Sequence, residues 1–351
     1  MNKIWIDPDL LENNSGIGRD SKFMVKWLES NFQTELIRFK GLRFIDNSLI
    51  RKILIGLRLI FGRLIHLNQK YEGAFYQSQL GPLLPGGGTN LWIVRLHDLF
   101  PVTNPEWFRW WASRIYKSSL AIAIEKNAIF LCDSKSTQEE LLNMYQGLVI
   151  KSFVVPCQIQ DFTPTNCGKC DGCLKLHTVN LTNFYLSVGT VEPRKNYSFA
   201  LSAWKSFQVD NLALPHLIIV GRAGWKTKDL QGNLEKSMSS RVIWLRDCCD
   251  SALETLYKDC LALISFSLAE GFDLPPMEAR QKFQKPLILS DIPVHREFHS
   301  GVAKFFSDAA SLKMSLDSIP RKSHFSDYSN DIDMILKSIE QEISSILQKS
   351  R

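Results

Sequence analysis

The sequence lacks a long apolar run of the kind that crosses a membrane. Its most apolar candidate, Leu49 to Leu64, is broken by Arg51, Lys52, Arg58 and Arg63, so no spanning helix is expected. A secretory leader is wanting as well: Asp7, Asp9 and Glu12 arrive before any apolar segment can develop, and no signal peptide is expected. Charge of one sign is barely in excess, with 42 basic residues against 36 acidic ones and a formal +6 over 351 residues. That balance falls short of a nucleic-acid-binding signature, and no nucleic-acid partner is expected. With 45% hydrophobic, 22% charged and 11% aromatic residues, disorder, collagen and fibrous repeats are excluded. Eight cysteines without a leader point to a reducing compartment, where they act as thiols, metal ligands or core fillers rather than disulfides. The expected location is cytoplasmic.

What is present is enough chain for about two domains of ordinary size. A strand-like run at Lys3 to Ile6 leads through the glycine loop Gly16-Ile17-Gly18-Arg19 into a helical pattern. Further strands are predicted at Leu91 to Leu96 and Ala128 to Cys132, with helices from Glu106 and from Thr137, the second opened by a capping box at Ser136 and Glu139. The alternation restarts at Phe184 to Val188, followed by a helix from Asn196 and strands at Leu217 to Val220 and Val242 to Leu245. A helix capped by Ser251 and Glu254 comes next, then a strand at Leu261 to Phe266, a helix from Pro276, a strand at Pro286 to Leu289 and a short helix after Pro293. Such alternation predicts an α/β protein with parallel sheets covered on both faces. The boundary is expected in the poorly periodic stretch from Pro156 to Asn183. This places one Rossmann-like domain over 1–165, a second over 183–325, and a C-terminal helix over 326–351 returning towards the first.

In open α/β sheets ligands bind beyond the carboxyl ends of the strands, which selects five places. Gly16 and Gly18 would let backbone approach an anion at a helix start. His97 ends a strand and can exchange protons near neutral pH, orient a hydroxyl, or simply satisfy a turn carbonyl. Arg194 and Lys195 are adjacent cations expected in a first helical turn. There they oppose the macrodipole and ask for an anionic partner, a phosphate or a nearby carboxylate. Gly221 opens a second glycine loop, Gly221-Arg222-Ala223-Gly224. Glu270, the segment Gly271-Phe272-Asp273-Leu274 and Glu278 converge on the start of a helix, with Pro276 at its first position and Glu278 in its first turn. Carboxylates suit vicinal hydroxyls and the amides suit phosphate, although ordinary helix capping also explains an acid at Glu278.

The order of these motifs, GIGR, then HDLFPVTNPEWF from His97, SVGTVEPRKN from Ser187, IIVGRAGW from Ile218, and EGFDLPPMEA followed by SDIPVHREF, resembles the family 4 glycosyltransferases of the GT-B fold. The likeness covers nearly the whole chain, and its most specific part is the pair Glu270 and Glu278 with seven residues between them. The resemblance implies two Rossmann-like domains facing a cleft. It also implies a retaining, metal-independent hexosyltransferase that moves a sugar from a GDP-, UDP- or dTDP-linked donor to a saccharide or lipid-linked acceptor. The implied catalytic residues are Glu270 beside the donor sugar, His97 touching it, and Arg194 and Lys195 neutralising the diphosphate. Gly16, Gly18, Gly221, Gly271, Phe272, Asp273 and Leu274 would contact the donor, with Glu278 on its ribose. Asp273 and Arg280 depart from the family pattern, which usually has glycine at the first position and a small or apolar residue at the second. A catalytically silent partner subunit of the same fold is the rival reading.

Two features lie outside these motifs. From Leu49 to Leu64 the basic residues fall on one arc opposite Ile50, Ile53, Leu57, Ile60 and Leu64. This predicts a surface helix packed on the first sheet or, alternatively, one resting peripherally on an anionic membrane face. Cys167, Cys170, Cys173 and His177 have metal-ligand spacing. The expectation is nevertheless a mobile insertion with free thiols and no bound cofactor, because three cysteines this close strain a tetrahedral site and Cys157 is expected too far away to complete it.

Overall fold

In the computed structural model the chain is described over residues 3–7, 16–36, 73–81, 89–149, 151–159, 161–162, 167–178, 183–210, 214–225, 227–236, 241–319 and 330–349. The segment 49–64, expected as a basic helix, lies outside them. The chain forms two compact units, Met1–Gln158 with Ser329–Arg351, and Ile159–Tyr328.

Unit 1 alternates strands and helices: Lys3–Ile6 (β1), Gly16–Asn31 (α1), Gln33–Leu36 (β2), Gly73–Gln77 (β3), Thr89–Leu96 (β4), Phe100–Thr103 (α2), Trp110–Glu125 (α3), Ile129–Cys132 (β5), Lys135–Met144 (α4) and Lys151–Val154 (β6). Among the described residues its strands form one six-stranded sheet in the order β2-β1-β3-β4-β5-β6, parallel at every pairing. A parallel sheet covered on both faces needs apolar side chains pointing both ways, and the β5 run Ile-Phe-Leu-Cys is buried throughout. Phe75, Trp92, Val94 and Phe130 join Leu120 and Leu141 from the helices in one cluster. Full burial of each such side chain contributes roughly 1.5–3 kcal/mol.

Unit 2 repeats the scheme with Asp171–Thr178 (α5), Phe184–Val188 (β7), Tyr197–Asp210 (α6), His216–Val220 (β8), Lys228–Lys236 (α7), Val242–Leu245 (β9), Asp250–Asp259 (α8), Leu263–Ser265 (β10), Leu274–Phe283 (α9), Leu287–Ser290 (β11), Pro293–His299 (α10), Ala303–Phe306 (β12) and Ala309–Asp317 (α11). Its six described strands run in the order β12-β11-β10-β7-β8-β9. Two cores flank this sheet. One is built on Trp204, Tyr197 and Phe266, the other on Phe184, Leu256 and Tyr257. The final helix, Asn330–Lys349 (α12), belongs to unit 1, where Glu342 pairs with Lys151 of β6.

Several helix starts differ from expectation. Ser134, not Ser136, caps α4 by accepting the Thr137 N–H at 3.0 Å. Cys249 precedes α8 without a side-chain cap, so Ser251 and Glu254 are not its capping box. Helix α9 begins at Leu274 behind Asp273, so Pro276 is not its first residue and Glu278 lies in its second turn. Arg194 and Lys195 sit in the short 3-10 turn Pro193–Lys195 ahead of α6, not in the first turn of the helix. Gly16 and Gly18 are already helical residues of α1. At α4 a serine two places earlier has the better-placed oxygen, and at α9 the left-handed backbone of Asp273 sets the start; composition alone ranks neither. The stretch expected as a linker is part of unit 2 from Ile159 onwards, because Cys170 and Cys173 pack there against Ala252 of α8.

Candidate active site

The strand order of unit 2 assembles the site. From β7 the chain proceeds through β8 to β9 on one side, then returns to place β10, β11 and β12 on the other. The reversal falls between β7 and β10, where loops diverge and a doubly wound sheet opens its ligand crevice. The loops after these two neighbours carry Arg194 and Lys195, and Glu270 and Asp273. Leu268 N–H donates to the Arg194 carbonyl at 2.8 Å, locking one loop to the other.

Lys195 is the centre of the group. Its Nζ lies 2.6 Å from Glu270 Oε1 and 2.9 Å from Asp273 Oδ1. Arg194 contacts Glu270 Oε2 and donates from Nε to Glu192 at 2.7 Å. Ser267 Oγ donates to Glu270 at 2.7 Å. Asp273 is closed on its other side by Ser265 Oγ at 2.7 Å and His295 Nε2 at 3.0 Å. Burial alone would raise the Asp273 pKa, but the Lys195 ammonium, followed by His295 and Ser265, holds it well below the usual carboxylate range. Burial would likewise strip Lys195 of its proton, yet Asp273 and then Glu270 raise its pKa above the ordinary value. The anionic partners of the two cations in this structure are therefore carboxylates.

Glycines make room for this arrangement. A Cβ at Gly189 would stand 2.9 Å from Lys195 Cε, and one at Gly221 would meet the Gly189 carbonyl oxygen at 2.0 Å. Gly221 thus allows the β7 and β8 loops to run side by side, a structural reason for a residue expected to contact the donor.

Glu278 points into a different setting. It is buried in α9 and accepts a 2.8 Å hydrogen bond from Tyr257 of α8. Phe272 packs edge-on against Phe298 at 4.7 Å. Asp273 takes the left-handed conformation, φ 64°, that turns the chain into α9. Arg280 donates to the Phe298 carbonyl at 2.7 Å, which gives that unusual residue a packing role.

In unit 1 His97 is held at both nitrogens, Nδ1 by Asp133 at 2.8 Å and Nε2 by the Ser78 carbonyl at 3.0 Å. Both partners are acceptors, so the imidazolium satisfies them best. Burial opposes that charge, but Asp133 outweighs it and the pKa is raised. Beside it lies a group that sequence reasoning missed. Arg95 in β4 is fully buried and forks onto Asp20 at 2.8 and 3.0 Å, reaching Asp133 at 2.9 Å and the Val155 carbonyl at 2.6 Å. The signal was a lone arginine inside the otherwise apolar run Leu91 to Leu96, and Asp20 stands two residues beyond Gly18. Cys157 belongs here too, donating to Asp133 at 3.2 Å. Cys167, Cys170 and Cys173 instead converge with Cys249, while the side chain of His177 lies outside the described residues. Among those residues no helix is long and apolar enough to cross a membrane.

Comparison with known proteins agrees with this architecture. Residues 177–317 match the profile of the family described as glycosyl transferases group 1. The serotype-specific mannosyltransferase WbdA of Escherichia coli is 29% identical over 245 residues, which is 66% of this chain and 30% of that protein. The O-antigen chain mannosyltransferase RfbU of Salmonella typhimurium is 34% identical over 116 residues, 33% of this chain and 31% of its own length. The chain spans about 30% of the length of WbdA. Among solved structures, an E. coli trehalose-6-phosphate protein bound with UDP-2-fluoro glucose covers 99% of both chains with a TM-score of 0.61 at 13% identity. HepE of Anabaena, in complex with UDP and glucose, covers 99% of this chain and 98% of its own at a TM-score of 0.54 and 14% identity. The chain thus has the GT-B fold, and residues 177–317 of its second unit are similar to the glycosyl transferases of group 1.

Proposed function

We propose that the chain transfers a mannose-type sugar from a nucleotide-activated donor to a saccharide or lipid-linked acceptor in surface-glycan assembly. Transfer retains anomeric configuration and uses no divalent metal. The observation that carries this reading is the placement of Arg194 and Lys195 against Glu270 at the reversal of strand order in unit 2. A departing nucleoside diphosphate accumulates negative charge, and two fixed cations answer it without reorganisation. In this reading Lys195 exchanges its contact to Glu270 for phosphate oxygen while Asp273 keeps the ammonium in place. Glu270, released, stands beside the transferred sugar. The segment from Gly271 to Leu274 offers amides to the donor, and Glu278, oriented by Tyr257, holds the ribose. His97 acts in its bonded form, orienting Asp133 and Ser78, and does not accept a proton. The mannosyl and O-antigen assignments of WbdA and RfbU support the choice of sugar and pathway class.

The test is thermal stabilisation by GDP, UDP and dTDP, followed by transfer from the matching sugar nucleotides with product anomers read by NMR. One base should stabilise the protein, and transfer should retain configuration in buffer without added divalent cations. Inversion, or a strict need for added magnesium, would overturn the mechanism. Binding without turnover would favour a silent partner subunit.

A further inference from the structure

Unit 2 also gathers four thiols for which the transfer reaction has no use. The sulfurs of Cys167, Cys170, Cys173 and Cys249 all lie within 4.8 Å of one another. Cys173 and Cys249 approach to 3.4 Å, and Cys167 and Cys173 to 3.9 Å.

Local chemistry explains how three cysteines at a spacing of three residues come to share one point. Gly168 takes a left-handed turn, φ 59°, directly after Cys167. The Cys170 N–H then donates to Cys167 Sγ at 3.3 Å, and the Cys173 N–H to Cys170 Sγ at 3.4 Å. The fourth thiol comes from the residue preceding α8, whose own N–H donates to Cys170 Sγ at 3.3 Å. The two segments are docked by backbone as well. Gly172 N–H donates to the Asp247 carbonyl at 3.1 Å, and Arg246 N–H to Asp171 Oδ2 at 2.9 Å. Gly172 is what permits this approach, since a Cβ there would fall 2.4 Å from Cys248 Sγ.

We propose that Cys167, Cys170, Cys173 and Cys249 form a tetrathiolate site for one zinc ion, stapling the segment 167–178 to the start of α8. The spacings select this over the other fates of clustered thiols. A disulfide requires sulfurs about 2.05 Å apart. Four thiolates about 2.3 Å from one tetrahedral zinc stand about 3.8 Å apart, in the range observed. An iron–sulfur cube would spread the four over separate irons and hold them further apart. An all-sulfur tetrahedron favours zinc among mononuclear ions, and N–H groups aimed at the sulfurs spread thiolate charge as outer-shell donors do. No position is left open for substrate, so the site is structural. This reverses the expectation of a mobile insertion with free thiols. That expectation considered only His177 and Cys157 as the fourth ligand, whereas Cys249 stands 76 residues beyond Cys173 and is brought in by the fold. The other metal-capable group, Asp20, His97, Asp133 and Cys157, has Arg95 paired to both of its acids, so a cation already occupies its centre.

The clip has a consequence for unit 2, because α8 carries Cys249 at its start and, two turns on, Tyr257 bonded to Glu278. The experiment uses untagged full-length protein purified under reducing conditions from zinc- and iron-supplemented cells. Elemental analysis should give about one zinc per chain. Cys249→Ser should lose most of it, while Cys248→Ser, Cys260→Ser and His177→Ala retain it. Titrating zinc-stripped wild-type protein with cobalt(II) should produce thiolate charge-transfer absorption and an intense tetrahedral d–d band, saturating at about one equivalent. That reading does not depend on any variant folding. Absence of both zinc and the cobalt spectrum, iron accompanied by inorganic sulfide, a mapped disulfide among the four, or full zinc in Cys249→Ser would each overturn the proposal.

Discussion

Lys195 and Asp273, 78 residues apart in sequence, form a buried ion pair at 2.9 Å in which each compensates the other's loss of water. Removing one partner leaves an uncompensated buried charge, which costs about 3–5 kcal/mol. Lys195→Ala should therefore lower stability by about that amount, and adding Asp273→Asn should recover part of it. Chemical denaturation of the single and double variants measures the coupling, and strict additivity would show that the pair is not a unit. In the proposed reaction Lys195→Ala also weakens nucleoside diphosphate binding and lowers turnover, by about 2–4 kcal/mol of transition-state stabilisation.

Glu270 and Glu278 should separate kinetically. Glu270→Gln, beside the reacting sugar, should lower kcat more than it raises KM, whereas Glu278→Gln, holding the ribose, should do the reverse. Tyr257→Phe removes the hydroxyl that orients Glu278, and should raise the donor KM in the same sense with a smaller effect on kcat. Steady-state kinetics decide it. A pure kcat effect in Tyr257→Phe would place Glu278 in the chemistry instead.

The raised pKa of His97 has a definite sign in stability. Its contribution is fully present below the unfolded-state value, about 6.5, and is lost as pH rises through the folded-state value. Replacement by glutamine should thus flatten the fall in denaturation free energy as pH rises above about 6.5. Asp133, whose pKa is lowered by Arg95 and His97 against the effect of burial, contributes above its unfolded value of about 3.9 and loses that contribution on acidification. Parallel pH profiles of wild type and His97→Gln check the first slope, and identical slopes would refute the assignment.

Two glycines should respond oppositely to alanine. Gly221→Ala drives a Cβ to 2.0 Å from the Gly189 carbonyl oxygen and should destabilise by about 2 kcal/mol or more, spreading the loop that holds Lys195. Gly232 lies within α7, and a Cβ there meets nothing within 4 Å. Gly232→Ala should stabilise by about 0.5–1 kcal/mol. Thermal melts of the two variants suffice.

By itself the sequence determined the alternation of strands and helices, the position of the glycine loops, and which loops carry acids and cations. These are local properties: runs such as Phe184–Val188 must be largely apolar to lie in a covered parallel sheet, and glycine or proline must punctuate them. The order of motifs was enough to indicate the two-domain GT-B fold. Only the tertiary structure decided the partners. Asp273 had the look of a charge facing the sugar, and strand order turned it to Lys195 and His295. Arg95 gave no hint of Asp20 and Asp133, because nothing in a strand's periodicity states which helix will cover it. Three cysteines and a histidine suggested a local cluster, yet the fourth thiol arrives with the residue before α8. Periodicity and capping act over a few residues, whereas ion pairs and ligand sets are fixed by which strands become neighbours, and that order is settled by packing the whole sheet.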